Sequence, residues 1–183
     1  EIPAFMQFLF TEDTDYVITE VWRYSQKESV IHGNTMHRAI DFAAPWGTPV
    51  YAVADGLAIA SFQSSATDRT LEGKQVWNGG GNFVQIWHPE QKVFRQYLHL
   101  SSVDTAIPFV APEEKHGEWF PSVIRLPLGE VLQQSVFVSA GQRIGLLGNT
   151  GLFLGDASEV PGPQQEKAAA RSWDEPHVHL EIY

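Results

Sequence analysis

Along most of the chain, apolar and polar positions alternate in short runs that end at Gly or Pro, with little sustained helical periodicity. Tyr16 to Trp22 is rich in β-forming residues, and Thr48 to Gly56 reads as a buried strand closing on an Asp55-Gly56 turn. Leu57 to Phe62 is its expected hairpin partner. Asn82 to Trp87 and Val93 to Leu100 form a second expected pair around the turn His88 to Gln91. Gln142 to Leu147 leads into a turn at Gly148-Asn149-Thr150-Gly151. The terminal strand is expected from His177 to Tyr183, with Val178, Leu180 and Ile182 on an apolar face and His177, His179 and Glu181 on the other. Its two imidazoles then stand about 6.6 Å apart, at roughly 3.3 Å per residue.

Three stretches break the pattern and are expected to be insertions. Gln63 to Gly81 is polar and ends in Gly79-Gly80-Gly81. Ser101 to Ser135 is Pro-rich and carries His116, Trp119 and Phe120, and Asp156 to Glu175 holds Pro161-Gly162-Pro163 with a short helix expected from Gln164 to Arg171. No internal repeat and no clean linker divides the chain. The pattern therefore predicts a mostly β, single domain of antiparallel hairpins with long loop insertions.

Composition narrows the partners. The 183 residues carry 22 acidic against 12 basic groups, a formal charge of -10, with no Lys/Arg cluster. That excludes nucleic-acid backbone binding as the main role, and an acidic surface adheres poorly to anionic membranes or walls. The chain has no cysteine, so any metal must be held by His, Asp or Glu. No apolar run is long enough for a transmembrane helix. The chain opens at Glu1 without a Met or a charged-then-apolar leader, as a processed or truncated chain would.

Against that background the histidines gain weight. His37 and Asp41 stand four positions apart, and the nearby Pro45, Gly47 and Pro49 argue for extended chain instead of a helix. Alone, that spacing is common in turns. Joined to His177 and His179 it gives three His and one carboxylate; two of those imidazoles with the carboxylate on one ion leave a coordination position open, the composition of a catalytic zinc centre. His99, in Tyr97-Leu98-His99-Leu100, shares a face with Tyr97 by simple alternation. His88, before Pro89, reads as a surface residue, His116 as a loop residue near substrate at most, and Glu181 as a solvated strand residue or a partner for a ligand imidazole.

The ordered motifs His37-Arg38-Ala39-Ile40-Asp41, Gly47-Thr48-Pro49-Val50, Gly81-Asn82-Phe83-Val84, Tyr97-Leu98-His99-Leu100, Gly148-Asn149-Thr150-Gly151 and His177-Val178-His179-Leu180-Glu181 resemble those of the lysostaphin-type (LytM-like) zinc metallopeptidases. The resemblance covers residues 35–183, with residues 1–34 as an N-terminal extension packing on the domain. It implies the duplicated hybrid motif fold, antiparallel sheets forming a groove walled by the insertions, with Zn2+ held by His37, Asp41 and His179, and His99 and His177 as catalytic imidazoles. It further implies an extracytoplasmic endopeptidase acting on peptidoglycan stem or cross-bridge peptides. Ala39 stands where the family pattern has glycine, Phe153 where it has a small polar residue, and Asp156 to Glu175 is extra. Two other readings are a latent or non-catalytic module that binds wall or regulates a hydrolase, and a phosphohistidine carrier on a similar scaffold, against which the Asp41 spacing argues.

Overall fold

In the computed structural model, residues 8–21, 23–24, 36–121, 129, 133–164 and 172–183 are described. Their strands are β1 (Val17–Glu20), β2 (Arg23–Tyr24), β3 (Met36–His37), β4 (Ala39–Ala43), β5 (Pro49–Tyr51), β6 (Gly56–Leu71), β7 (Lys74–His88), β8 (Val93–Val103), β9 (Glu113–Lys115), β10 (Glu118–Phe120), β11 (Val136–Val138), β12 (Arg143–Leu147), β13 (Phe153–Leu154) and β14 (His177–Ile182). The main sheet runs β1-β4-β14-β8-β7-β6-β10-β9, with β11 on β6, β13 on β7, and β12 joining β8 to β5; β2 and β3 pair separately. Every pairing between these strands is antiparallel. The mostly β, antiparallel architecture is the one the alternation predicts.

One side of this sheet buries Val50, Ala58, Ala60, Val84, Ile86, Tyr97, Leu100, Val138, Ile144, Leu147 and Val178 in a single cluster. The Val, Leu and Ile side chains among them, each worth about 1.5–3 kcal/mol when fully buried, fix which face of each strand points inward. The face left over carries the polar residues of the groove beside a smaller apolar cluster of Ile59 and Phe83 with Phe94, Leu98 and Val110. On β14, Val178 lies in the core and Leu180 packs against it. Ile182, expected on the same apolar face, is 47% exposed because the strand runs out of the core there.

Two sequence expectations fail at the level of pairing. β5 does not fold back on β6; it pairs with β12, Arg143 opposite Tyr51 and Leu146 opposite Pro49. The expected turn residue Gly56 is instead the first residue of β6, where an added Cβ would lie 2.4 Å from the Trp87 carbonyl. Gln63 to Gly81 is not a loop insertion either. β6 and β7 continue through it as one long ribbon, turning at Glu72 and Gly73, both with positive φ. Its polar composition reflects the mostly exposed tip between Ala66 and Lys74, while nearer the sheet Ser64, Val76 and Trp77 are buried under β10 and β13.

Within the second stretch, β8 extends to Val103 and a small hairpin, β9–β10, lays Trp119 opposite Ser64 of β6. His116 sits exposed in that hairpin turn with φ 55°. In the third, the described part is a 3-10 turn, Ala157–Glu159, closed by a capping box with Asp156. The expected helix from Gln164 to Arg171 falls on residues 165–171, outside the described residues. Among the described residues, no helix is long and apolar enough to cross a membrane.

Candidate metal centre

Register assembles the site. Directly opposite residues of neighbouring strands share a face. Glu20 of β1 lies opposite Asp41 of β4, Asp41 opposite His179 of β14, and His179 opposite Leu98 of β8, so the four form one row across the sheet. His37 enters from β3, just before the break at Arg38, and His177 lies opposite Ala43. These residues, with His99, line a groove of about 460 Å³. Half-exposed Gln63, Ser65, Asn78, Leu98 and Trp173 line it too, so among the described residues it reaches solvent.

Three donor atoms converge in this groove. His37 Nε2 lies 3.1 Å from Asp41 Oδ1 and 3.1 Å from His179 Nδ1, and His179 Nδ1 lies 2.9 Å from Asp41 Oδ1. A tetrahedral zinc ion with N and O bonds of 2.0–2.1 Å has ligand–ligand edges of about 3.3 Å. The triangle is slightly tighter than that, so small outward shifts would admit the ion.

The outer ring nitrogens settle the tautomers, because a carbonyl or carboxylate oxygen only accepts. His37 Nδ1–H donates to the Val21 carbonyl at 3.2 Å. His179 Nε2–H donates to Glu181 Oε1 at 3.0 Å. In their neutral forms both imidazoles therefore turn a lone pair inward, toward each other and toward a carboxylate. Three electron-rich atoms at this spacing require a cation or protons among them. Burial alone would lower the pKa of both histidines; the Asp41 carboxylate outweighs it, raising His37 and pushing His179 up to about 9 with help from Glu181. Burial would raise the Asp41 carboxyl, but its bonds to His179 and His37 hold it well below the usual carboxylate range.

The other two imidazoles stand beside this triangle. His99 Nδ1–H donates to the Thr150 carbonyl at 2.9 Å, and His177 Nδ1–H donates to the Glu175 carbonyl at 2.8 Å. Their ring centroids are 4.8 Å apart, and His177 Nε2 is 3.7 Å from Asp41 Oδ2. Burial, then the charges of His177 and His179, hold His99 well below the ordinary imidazole range.

His99 does not share a face with Tyr97. Tyr97 is in the core, its hydroxyl accepting from Val53 N–H at 3.0 Å, while His99 faces the groove beside Leu98. The alternation breaks because His99 has φ 65° and the β7–β8 register slips between Asn82 and Val84. This bulge turns two consecutive side chains, Leu98 and His99, to the groove. Buried Asn82 supports it, donating to the Leu100 carbonyl at 3.1 Å and the Ser101 carbonyl at 3.3 Å.

Other readings also change. His88 is fully buried, not superficial, donates through Nδ1 to the Asp55 carbonyl at 2.8 Å, and does not line the groove. Glu181 is no solvated strand residue but the hydrogen-bond partner of the His179 imidazole. Glu20, Trp173 and Asp174 line the groove without having been singled out from sequence. Strand alternation flags Glu20 as polar, yet only the pairing of β1 with β4 reveals which residue it faces. The carbonyls of Val21, Thr150 and Glu175 carry no side-chain signal at all.

Comparison with known proteins follows the same lines. Residues 35–109 match peptidase family M23. The peptidoglycan DD-endopeptidase ShyA of Vibrio cholerae serotype O1 is 28% identical over 146 residues, 76% of this chain and 24% of that protein. An uncharacterized metalloprotease of Buchnera aphidicola is 28% identical over 102 residues, 55% of this chain and 23% of that protein. The chain thus spans about a quarter of the length of these curated relatives. In fold, it resembles the crystal structure of a zinc-containing peptidase from Vibrio cholerae at a TM-score of 0.51 and 22% identity, covering 97% of this chain and 36% of that one.

Proposed function

The chain carries a peptidase family M23 domain, and on that premise we propose that it is a zinc-dependent endopeptidase cleaving peptide bonds of bacterial peptidoglycan outside the cytoplasm. The observation that carries this reading is the triangle of His37 Nε2, Asp41 Oδ1 and His179 Nδ1, with edges of 2.9–3.1 Å and both imidazole lone pairs turned inward. That donor set, two imidazoles and one carboxylate at the foot of a groove, suits zinc and leaves a position for water or substrate. The name of the ShyA relative supports peptidoglycan as the substrate.

Bound there, zinc supplies a Lewis acid for the scissile carbonyl and lowers the pKa of water toward neutrality. The chain supplies the rest. His37, Asp41 and His179 hold the ion. His99 and His177 divide the proton transfers: each has its Nδ1–H committed to a backbone carbonyl, leaving Nε2 to work in the groove. His99, held neutral by burial, begins in the state a proton acceptor needs. Whichever ring takes the proton can then hydrogen-bond the developing oxyanion or pass the proton to the departing amine. The groove reaching solvent among the described residues favours an enzyme over a latent module.

The test is metal content together with digestion. Purified protein is expected to hold one zinc per chain and to release soluble fragments from isolated peptidoglycan. Protein that holds no zinc, or a His179→Ala variant that digests as fast as the parent, sinks the proposal.

A further inference from the structure

We infer that Glu181 is the positioning residue of the metal centre: by accepting from His179 Nε2–H, it fixes the ring orientation that presents Nδ1 to His37 and Asp41. The inference rests on the zinc reading above and adds a residue to it.

The four groove imidazoles are anchored in two different ways. His37, His99 and His177 each donate to a backbone carbonyl, of Val21, Thr150 and Glu175. His179 alone is anchored by a side chain. It is also the imidazole that binds through Nδ1, so its outward atom is Nε2, at the far tip of the ring. Its strand neighbours cannot offer a carbonyl there, because the β14 main chain is engaged with β4 on one side and β8 on the other. A side chain two residues along the same face, about 6.6 Å away, is the group that reaches. Glu181 occupies that place.

The carboxylate is itself held. Its Oε2 accepts from the Tyr183 hydroxyl, and Tyr183 is fixed by two main-chain bonds to Phe94, of 3.0 and 2.9 Å. Gln96, opposite Glu181 on β8, does not compete, since its amide donates to Gln85 Oε1 at 2.8 Å. The side chains of His179 and Glu181 keep only 12% and 17% of their exposure, so water is a weak rival for the bond. Rotation of an imidazole about χ2 is broad and nearly two-fold. With no acceptor at Nε2, the ring can turn and carry Nδ1 away from the other two donors.

Two variants separate this role from simple packing. Glu181→Gln keeps an acceptor oxygen in nearly the same shape; Glu181→Met fills the space without one. Zinc affinity would be read by competition with a chelator, and thermal midpoints of the metal-free proteins would report the fold. Glu181→Met is expected to weaken zinc binding about 10- to 100-fold, the usual cost of removing an outer partner of a ligand histidine. Glu181→Gln is expected to stay within about fivefold of the parent, since a neutral acceptor replaces a charged one. In 15N-labelled parent protein, an exchange-protected, low-field Nε2–H proton of His179 is expected, retained in Glu181→Gln and lost in Glu181→Met.

Unchanged zinc affinity in Glu181→Met overturns the inference, as does an equal loss in both variants, which would make charge the cause and not ring orientation. Absence of the protected His179 proton from the parent also overturns it, and needs no variant to fold. A parent chain that binds no zinc but shows that proton, lost in Glu181→Met, refutes the proposed function while leaving the positioning role of Glu181 intact.

Discussion

His177 and His179 are two residues apart on one strand face, yet their surroundings assign them opposite losses. His179 Nδ1 is within 2.9 Å of Asp41 Oδ1 and inside the donor triangle, whereas His177 is tethered to Glu175 beside His99. His179→Ala is therefore expected to cost the zinc and, with it, activity. His177→Ala should keep close to one zinc per chain and lose about 100- to 10,000-fold in turnover, the range for removing a positioned acid–base group; atomic absorption and single-turnover digestion check both. Titration follows from the same contacts. His179 is pushed up to about 9 in the metal-free protein, so its proton favours the fold. That stabilisation is complete below the ordinary imidazole pKa of about 6.5 and is lost as pH rises through about 9. Metal-free protein should thus lose stability from pH 6.5 to 9, by on the order of a few kcal/mol at most, and melt at progressively lower temperature. In the proposed holoenzyme zinc would take the place of the proton, so zinc-loaded protein should not show that decline in calorimetry over the same window.

Strand by strand, the alternation of β14 could be read from the sequence because its apolar face has a core to enter, and a one-residue slip would bury imidazoles and expose Val178. The extended setting of His37 and Asp41 was legible from the prolines that follow. Pairing was less so. Nothing in Thr48 to Gly56 marks β12 as the partner of β5, because antiparallel partners are chosen by burial across the whole sheet. The bulge at His99 was invisible for a different reason: Tyr97-Leu98-His99-Leu100 alternates well, and the left-handed residue is imposed by its neighbours. Gly81 and Gly151 make that possible. Both have positive φ, and they bring β7 against the 148–151 turn so closely that an added Cβ on Gly81 would meet the Thr150 carbonyl at 2.2 Å. That carbonyl is the acceptor for His99 Nδ1–H. Gly81→Ala should therefore lower stability by more than about 2 kcal/mol, through the clash and the left-handed conformation. Activity should fall further than zinc content, as His99 loses its anchor; a urea midpoint, metal analysis and turnover measured on one preparation separate the three effects.

For the whole molecule, charge sets how the groove meets its substrate. The formal charge is -10, and the groove adds to it locally with Glu20, Asp41, Asp174 and Glu181 against Arg38. A dication bound at His37, Asp41 and His179 offsets two of these charges but leaves the outer surface acidic. Bacterial wall material that is itself anionic would then be approached against a repulsive field, which screening weakens: the Debye length falls from about 30 Å at 0.01 M salt to about 8 Å at 0.15 M. Attraction between opposite charges would respond in the reverse sense, with binding lost as salt rises. Digestion of intact anionic wall by this chain is accordingly expected to speed up several-fold between 10 and 150 mM monovalent salt, on the order of what removal of a long-range field does to an encounter rate. Hydrolysis of a short, net-neutral peptide carrying the same scissile bond should change little over that range, because in the proposed mechanism zinc, His99 and His177 act at contact distances that salt does not screen. Parallel progress curves on the two substrates decide the point: a matching salt response would place the effect inside the groove, and slower wall digestion at higher salt would mean that a basic surface, not an acidic one, guides the approach.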